Sequence, residues 1–268
     1  MNNESPLGKA SRYRNQYEPG LLFAIARRAS RQAIGLEDNF PFFGSDIWTA
    51  WELTWLNPAG VPQVAVAEFR VPFDSPCLIE SKSLKLYLNS FTMSRYASAD
   101  ALRDVIAHDL SSSAGAAVEV RLCSPAAALP LSSPPGDCID HIAARCDVYD
   151  VDASLLSTGT AIVSERLYSH LLRSLCPVTD QPDLGSVLIA YSGPQIDRAG
   201  LLRYIVSYRE HNDFHEACVE RMFMDILRRC RPTQLSVYAR FQRRGGIDIN
   251  PFRSNFEAMP ASFRLPRQ

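Results

Sequence analysis

Apolar and polar positions along the first half of the chain predict a hairpin followed by a helix. The segment 47–56, "IWTAWELTWL", is rich in aromatic and β-favouring residues and ends at the turn signal "NPAG". The next segment, 63–73, alternates with a period of two, as a half-buried strand does. In "ESKSLKLYLNSF" the apolar positions instead recur at i, i+3, i+4 and i+7 from residue 84 to residue 91, which predicts an amphipathic helix.

The same order of elements recurs after about residue 150. The first half continues with a predicted helix at 98 to about 110 and a strand at 116–122. The second half contains these predicted elements: an apolar segment at 161–172 that suits a strand or a helix, a strand at 185–193, helices at 198–210 and 214–229, and a strand at 233–243. Two copies of a ββααβ plan predict an α+β class, with mostly antiparallel sheets and helices to one side.

The halves are separated by a tract without periodicity, residues 124–137, which predicts a loop. We therefore expect an N-terminal extension at 1–45, a first module at 46–150 and a second at 151–268. The chain of 268 residues has a net charge of −1, from 28 basic and 29 acidic side chains. This balance does not point to a nucleic-acid or membrane partner.

The remaining bulk features predict a soluble, cytoplasmic protein. The first residues contain no apolar signal-peptide core, and no uncharged apolar run approaches the roughly 18 residues of a membrane helix. The seven cysteines are an odd number without any C-x-x-C pair, which argues against a disulfide framework and a zinc ribbon. A reducing compartment fits this pattern.

Candidate chemistry lies in four polar clusters, because no dinucleotide fingerprint or P-loop motif occurs. In "IESKS", residues 79–83, Ser81 and Lys82 stand at the start of the predicted helix, where backbone N–H groups favour a phosphate. The alternative is that Ser81 caps the helix and Lys82 is solvated. In "RRGG", residues 243–246, two guanidinium groups beside a predicted turn suit a phosphate or are merely solvated.

The third cluster, "HNDFHE" at 211–216, permits a structural and a metal-binding interpretation. Asp213 and Glu216 have the spacing of a capping box. His211 and His215 would share a helix face and could hold a metal, unless His211 precedes the helix.

The fourth cluster, "SLCPVTDQPD" at 174–183, contains a cysteine followed by two prolines, Pro177 and Pro182. Pro177 disfavours the helical region for Cys176, so a helix through this thiol is not expected. The residue is either a small buried side chain at a strand end or a nucleophile. A nucleophile needs an activator from elsewhere in the fold, for which His215 is the best candidate. Asp183 is a candidate general acid if burial keeps it protonated.

Taken together, these stretches resemble the NADPH-dependent 7-cyano-7-deazaguanine reductases in their long, two-module form. The matching segments run in order from about residue 7 to residue 255 and include "LGKASRYRNQYEPGLL", "LIESKSLKLYLNSF", "SLCPVTDQPDLGS", "YREHNDFHEACVERMF" and "RFQRRGGIDINPFRSN". The resemblance implies tandem tunnelling-fold modules, each an antiparallel sheet backed by two helices. It also implies four-electron reduction of a nitrile to a primary amine on the route to queuosine in transfer RNA.

The resemblance further implies a role for each matching residue. Cys176 would attack the nitrile of a small deazapurine to form a covalent thioimide, Asp183 would protonate the nitrogen, and His215 would relay protons. The implied substrate-binding set is Ile79, Glu80, Ser81, His215 and Glu216. The implied NADPH-binding set is Ser81, Lys82, Arg244 and Gly245, with no metal. A covalent step is useful because a C=N group accepts hydride more readily than a nitrile.

One departure and two alternatives remain. Leu184 stands where the long form often has an aromatic residue after the catalytic aspartate. A zinc-dependent cyclohydrolase or pterin enzyme of the same fold would use His211, His215 and a cysteine as ligands. A purine-binding module without catalysis would have Cys176 merely buried. In each case we expect a homodimer or larger assembly, because open sheets of this kind expose edges.

Overall fold

The structure is a computed structural model that describes residues 13–37, 39–127 and 130–268. Their contacts divide the chain into two compact units. The first comprises the described residues of Met1–Ala29, Asp46–Ala128 and Arg243–Asp248, and the second those of Ser30–Ser45, Leu129–Gln242 and Ile249–Gln268. The predicted features at residues 7–12 and 128–129 lie outside the described residues.

These units are assembled from separate stretches of chain, and their limits differ from the predicted module boundaries at residues 45 and 150. Residues 137 and 138 pair with a strand of the second unit, at Leu167 and Tyr168, so this part of the tract before residue 150 belongs there. The segment 243–248 belongs to the first unit, where the Trp51 N–H donates to the Gly246 carbonyl at 2.9 Å. The composition of each unit is thus determined by contacts between residues distant in sequence, and a unit does not correspond to one continuous segment.

In chain order, the strands are β1 (Ala24–Ala26), β2 (Phe43–Leu56), β3 (Pro62–Pro72), β4 (Cys77–Ile79), β5 (Glu119–Cys123), β6 (Asp137–Cys138), β7 (Thr158–Leu175), β8 (Pro182–Ile196), β9 (Gln234–Phe241) and β10 (Ile247–Ser254). The α-helices are α1 (Arg28–Ala33), α2 (Ser81–Ser90), α3 (Ala99–Ala114), α4 (Arg198–Ser207) and α5 (His215–Cys230). Short 3-10 helices lie at Pro19–Leu21, Phe91–Met93, Ala153–Leu155 and Tyr208–Glu210.

In the first unit, β5, β3 and β2 are neighbours in a sheet, and β1 pairs with β4 in a small antiparallel sheet. The β3–β5 ladder is antiparallel and runs from Val66 opposite Cys123 to Arg70 opposite Glu119. Helices α2 and α3 both belong to this unit. Three side chains of α3 at four-residue spacing are fully buried, and these are Leu102, Ile106 and Leu110. Their spacing gives α3 one apolar face for the core.

In the second unit the strand order is β10-β9-β8-β7-β6, and every neighbouring pair except the last is antiparallel. Strand β6 contributes two residues that pair in parallel with β7. Helices α4 and α5 belong to this unit. The long helix predicted at 214–229 is confirmed as α5, and three of its side chains at four-residue spacing, Cys218, Met222 and Ile226, are completely buried.

The predicted α+β class, with antiparallel sheets backed by two helices each, is confirmed. The ambiguous segment 161–172 is strand, because it lies within β7 and pairs along its length with β8. Strand β10 was not predicted, although all eight of its residues are buried. Among the residues that the structure describes, no helix has the length and apolar character that crossing a membrane requires.

Candidate active site

The predicted thiol loop forms the connection between β7 and β8 in the second unit. The Cys176 N–H donates to the Gln181 carbonyl at 3.0 Å, and the Asp180 N–H donates to the Cys176 carbonyl at 3.0 Å. Asp180 has a φ of 54°, in the left-handed region that side chains rarely occupy. No helix runs through the thiol, as predicted. Cys176 is 5% exposed, so its thiol must act from a largely enclosed position.

Strand pairing puts a carboxylate on the face of the hairpin that the thiol shares. Ser174 lies directly opposite Asp183 in the β7–β8 ladder, so their side chains point to the same face. Cys176 follows Ser174 by two residues, and the period of two in extended chain assigns it to that face as well. Asp183 is buried. The hairpin therefore joins a nucleophilic group and an acid by a non-local pairing.

The first turn of α5 supplies an imidazole and a second carboxylate. His215 and Glu216 are the first two residues of this helix, and Glu216 is buried. The predicted capping box is wrong, because Phe214 occupies the N-cap position and no side chain caps the helix. Asp213 instead accepts a hydrogen bond from the Phe214 N–H at 2.9 Å.

The structure brings His215 and Asp183 together. The Nε2 atom of His215 lies 3.7 Å from an Oδ atom of Asp183. The imidazole ring also meets Phe241 edge to face, with ring centroids 4.2 Å apart. Contacts with an aromatic ring and a carboxylate restrict the imidazole and keep it close to the acid, at a separation slightly longer than a hydrogen bond.

His211 is not part of this helix. It follows the 3-10 helix Tyr208–Glu210 and precedes α5, so it does not share a helical face with His215. Its Nε2 atom lies 3.7 Å from Asp213. Within the described ranges, no three histidine, cysteine or acidic side chains are grouped as a metal ion would require.

A second thiol, Cys218, lies one turn into α5 and is completely buried. Burial raises its pKa well above the ordinary value, and the nearby carboxylates of Asp213 and Asp183 add to this effect. The neighbouring Ser174 hydroxyl opposes the shift in the thiol pKa. Cys218 therefore stays protonated at neutral pH.

In the first unit, Glu80 is the N-cap of α2. Its carboxylate accepts the Lys82 N–H at 2.6 Å and the Ser83 N–H at 2.8 Å. The interpretation of Ser81 as the cap is therefore wrong, and Ser81 is the first residue of the helix. Burial raises the pKa of Glu80, while these two N–H groups and the charges of Lys85 and Lys82 oppose the rise. Ile79, the last residue of β4, directly precedes this acid.

The predicted turn in "RRGG" is confirmed in the first unit. Arg244 pairs with Ile247, and Gly245 and Gly246 have φ values of 61° and 81°. Two successive positive φ values are those of a type I′ hairpin turn, which glycine adopts without strain. A Cβ atom on Gly245 would lie 3.2 Å from the Cδ and Cε atoms of Lys85. The turn is thus packed against the helix that begins with Ser81 and Lys82.

Trp51 fixes this turn. Besides its backbone bond to Gly246, its indole N–H donates to Asp248 at 2.5 Å. The Arg243 guanidinium stacks over the indole, 4.6 Å from the ring centre. Sequence reasoning identified neither this support nor Lys85 as a neighbour of Gly245.

Comparisons with known proteins assign the class. The family "Nitrile reductase, 7-cyano-7-deazaguanine-reductase N-term" matches residues 13–122, and the family "QueF-like protein" matches residues 182–259. By class, the chain is a nitrile reductase. It belongs to the family of NADPH-dependent 7-cyano-7-deazaguanine reductases, because curated members of that name match it along nearly its whole length.

Three such relatives illustrate the match. The reductase of Paraburkholderia xenovorans (strain LB400) is 56% identical over 99% of this chain and 98% of its own length. That of Azoarcus sp. (strain BH72) is 58% identical over 94% and 90%, and that of Burkholderia multivorans is 56% identical over 100% of both chains. A crystal structure of the archaeosine synthase QueF-Like aligns with a TM-score of 0.32 and 16% identity, over 37% of this chain and 99% of that one. The resemblance seen in the sequence is confirmed, and the family is neither of the two alternatives.

Proposed function

We propose that this chain reduces the nitrile of 7-cyano-7-deazaguanine to the aminomethyl group through a thioimide on Cys176, on the route to queuosine in transfer RNA. One nitrile, two NADPH and two protons give one primary amine and two NADP⁺. The observation that supports this proposal best is the approach of His215 to Asp183, at 3.7 Å, on the hairpin that carries Cys176. The relatives' names state the substrate and NADPH for those proteins.

In the first step, the Sγ atom of Cys176 bonds to the nitrile carbon and one π bond of the triple bond breaks. Asp183 gives its proton to the nitrile nitrogen, and His215 accepts the thiol proton. The imidazolium then returns a proton to the Asp183 carboxylate once the 3.7 Å separation shortens to hydrogen-bond distance in the substrate complex. The net change is addition of S–H across the triple bond.

NADPH, when bound, supplies the two hydrides that a four-electron reduction requires. Ser81, Lys82, Arg244 and Gly245 are proposed to hold it. The chemistry of this donor set fits a phosphate-bearing dinucleotide, since Lys82, Lys85 and Arg244 are cationic and Gly245 adds no side chain to the turn. A basic pair beside a ribose phosphate favours NADPH over NADH.

After the first reduction, the former nitrile carbon carries both sulfur and nitrogen. The nitrogen lone pair then expels sulfur: the C–S bond breaks, the electron pair returns to Cys176 as a thiolate, and a protonated imine remains for the second hydride. Asp183 and His215 supply one proton to the nitrogen in the first reduction and one to the Cys176 thiolate in the second, which accounts for both protons consumed. An enclosed site protects this imine from hydrolysis, because it limits the access of water.

Recognition of the base is proposed for Ile79, Glu80, Ser81, His215 and Glu216. A carboxylate accepts hydrogen bonds from the N–H groups of a guanine-like edge. Glu80 accepts from the Lys82 and Ser83 N–H groups and, at 3.5 Å, from the Ser81 hydroxyl, so one of its roughly four lone-pair positions is left for a ligand. Glu216 is buried at the start of α5, where the helix dipole stabilises a negative charge.

The test is adduct formation without NADPH, read by mass spectrometry of the intact protein. Wild type mixed with the nitrile is expected to gain the mass of one substrate molecule, and C176A is expected to gain none. C230A is the matched control, because Cys230 is also buried and its pKa is raised to about 11. An adduct that persists in C176A, or one that is lost only in C230A, would overturn the assignment.

We further propose that the protein acts in the cytoplasm as a homodimer or larger assembly. The cysteine pattern supports a reducing compartment. Exposed strand edges support association between copies of the chain.

A further inference from the structure

Asp180 has an unusual backbone conformation for its position. Only two non-glycine residues in the described part of the chain have positive φ, Asp180 and Arg231. Arg231 is the C-cap of α5, where a left-handed residue is ordinary. Asp180 instead lies within the loop that carries Cys176. Strained residues of this kind persist only when their surroundings hold them.

In addition to the bond from its own N–H to the Cys176 carbonyl, a side-chain hydrogen bond to a distant segment holds Asp180. The Asn212 Nδ2 atom donates to the Asp180 Oδ1 atom at 2.5 Å. The acceptor is a carboxylate, and bonds to a charged acceptor are the stronger kind. The partner lies 32 residues further along the chain, so the bond connects two different segments of the second unit.

Backbone bonds align these segments at the same place. The Leu175 N–H donates to the His211 carbonyl at 2.8 Å, and the Asp213 N–H donates to the Leu175 carbonyl at 3.2 Å. Leu175 and Asn212 therefore form a parallel bridge. Leu175 immediately precedes Cys176, and Asp213 is two residues before His215. The thiol loop is thus bonded at both ends to the segment that leads into α5. Leu175, before the thiol, is held by backbone hydrogen bonds, and Asp180, after it, by the Asn212 side chain.

We propose that the Asp180–Asn212 hydrogen bond is a clasp that positions Cys176 for attack on the nitrile. Asp180 and Asn212 are positioning residues, since both are exposed and act through the loop. This inference rests on the proposed role of Cys176 as the nucleophile. The clasp fixes the far side of the loop relative to the segment that carries His215, so it controls how the thiol sits relative to the proton-transfer groups.

The clasp affects one step selectively. Formation of the C–S bond depends on the placement of the thiol, and a displacement of about 1 Å can cost about a hundredfold in rate. Once the covalent bond exists, the substrate carbon is tethered, so the following reduction depends less on the clasp. A merely structural role would instead lower the stability and leave the rate of bond formation in the folded enzyme unchanged.

The test exchanges the two polar groups. In N212D two carboxylates face each other, and the rate of adduct formation without NADPH is expected to fall between about tenfold and about a hundredfold. The double variant D180N/N212D restores a hydrogen bond with donor and acceptor reversed, and it is expected to recover most of the wild-type rate. D180N alone is the matched control, because asparagine tolerates a left-handed φ and still accepts from Asn212. N212A removes the bond without adding charge and should be intermediate.

Adduct formation is followed by rapid quenching and mass spectrometry, with urea unfolding of every variant as the measure of stability. N212D reacting at the wild-type rate would overturn the inference. So would a double variant that reacts as slowly as N212D. If wild type forms no adduct at all, the proposed function itself fails, and the inference fails with it.

Discussion

Gly245 and Gly246 form one turn but differ in what surrounds them. Both have positive φ, so a side chain at either position is strained. Only Gly245 is close to Lys85, whereas a Cβ atom on Gly246 would meet nothing within 4 Å. Substitutions at the two positions therefore distinguish two effects: both introduce backbone strain, but only a substitution at Gly245 also disturbs Lys85 of α2.

We expect G245A to raise the KM for NADPH several-fold more than G246A does. Each substitution costs about 1 kcal/mol of backbone strain, but only G245A displaces Lys85 from the turn. The measurement is initial rate against NADPH concentration at saturating nitrile. Adduct formation without NADPH should be unchanged in both variants. An equal rise in KM for the two would show that strain alone is responsible.

Glu80 predicts a pH dependence. Because burial raises its pKa above the ordinary value of 4.5, the folded chain holds this proton more tightly than the unfolded chain. The protonated Glu80 side chain therefore contributes most to the free energy of unfolding below pH 4.5, and this contribution is lost as the pH rises through the raised pKa. Glutamine does not titrate, so the free energy of unfolding of E80Q relative to wild type should increase from about pH 4 to about pH 7. Urea unfolding at both pH values measures it, and a decrease would contradict the prediction.

At this scale, sequence rules succeeded where the cause is local. Pro177 argued against a helix at Cys176, and two adjacent glycines predicted the turn. Sequence rules did not predict that Ser174 and Cys218 lie near Asp183, because strand register and helix packing determine which side chains meet there. Nor did they show that Glu80, rather than Ser81, caps α2, since either residue suits the position by spacing.

Helix α5 combines chemistry at its start with a buried charge cluster further along. Glu220 accepts from Arg31 and from Arg253, each at 2.8 Å, and all three residues are buried in the second unit. Two guanidinium groups thus share one carboxylate away from water. This cluster ties α5 to segments before and after it in the chain.

We expect E220A to destabilise the protein by about 3–5 kcal/mol, because it leaves two buried guanidinium groups without this carboxylate. The matched control is D100A, which removes an exposed partner of Arg103 on α3 and should cost about 1 kcal/mol or less. Urea unfolding of both variants measures the difference. Similar losses for the two would contradict the importance assigned to the cluster.

Secondary structure was not predicted correctly, or was left ambiguous, where it depends on the strand or side chain that a segment contacts. The leucine spacing in 161–172 suits a helix or a strand, and pairing with β8 decides for the strand. No element was predicted for the segment of strand β10, which contains Asp248 and Arg253, and Trp51 and Glu220 provide bonding partners for these charges. Neither partner can be assigned from a local window of sequence.

At the scale of the whole molecule, an exposed strand edge predicts association. Strand β6 pairs with β7 only at Leu167 and Tyr168, so the preceding part of β7 lies at the end of the strand order. Ile162 in that part is 76% exposed. An edge that no described residue pairs with, and that carries an exposed apolar side chain, favours pairing with a second chain.

We expect I162K to lower the average mass seen by sedimentation, because a lysine on the edge opposes such pairing. V61K is the matched control, since Val61 is also exposed but lies in the turn before β3. It should sediment as wild type does. Unchanged sedimentation of I162K would place the association elsewhere.

The limits of the compact units show what a linear reading of the chain misses. The predicted modules were continuous, whereas residues 243–248 belong with the first unit through contacts such as the Trp51 N–H bond to Gly246. The two longer helices of each unit could be predicted from periodicity, because periodicity is local, whereas the short helix α1 was not predicted. The contact of residues 243–248 with β2 could not be predicted in this way, because it joins segments far apart in the sequence.

The central claim is a four-electron reduction that depends on one thiol. It is tested most directly by the NADPH oxidised per 7-cyano-7-deazaguanine consumed, followed by absorbance for wild type and C176A. Two NADPH per nitrile in wild type, and no oxidation with C176A, are the expected results. One NADPH per nitrile, or an unchanged rate with C176A, would contradict the claim.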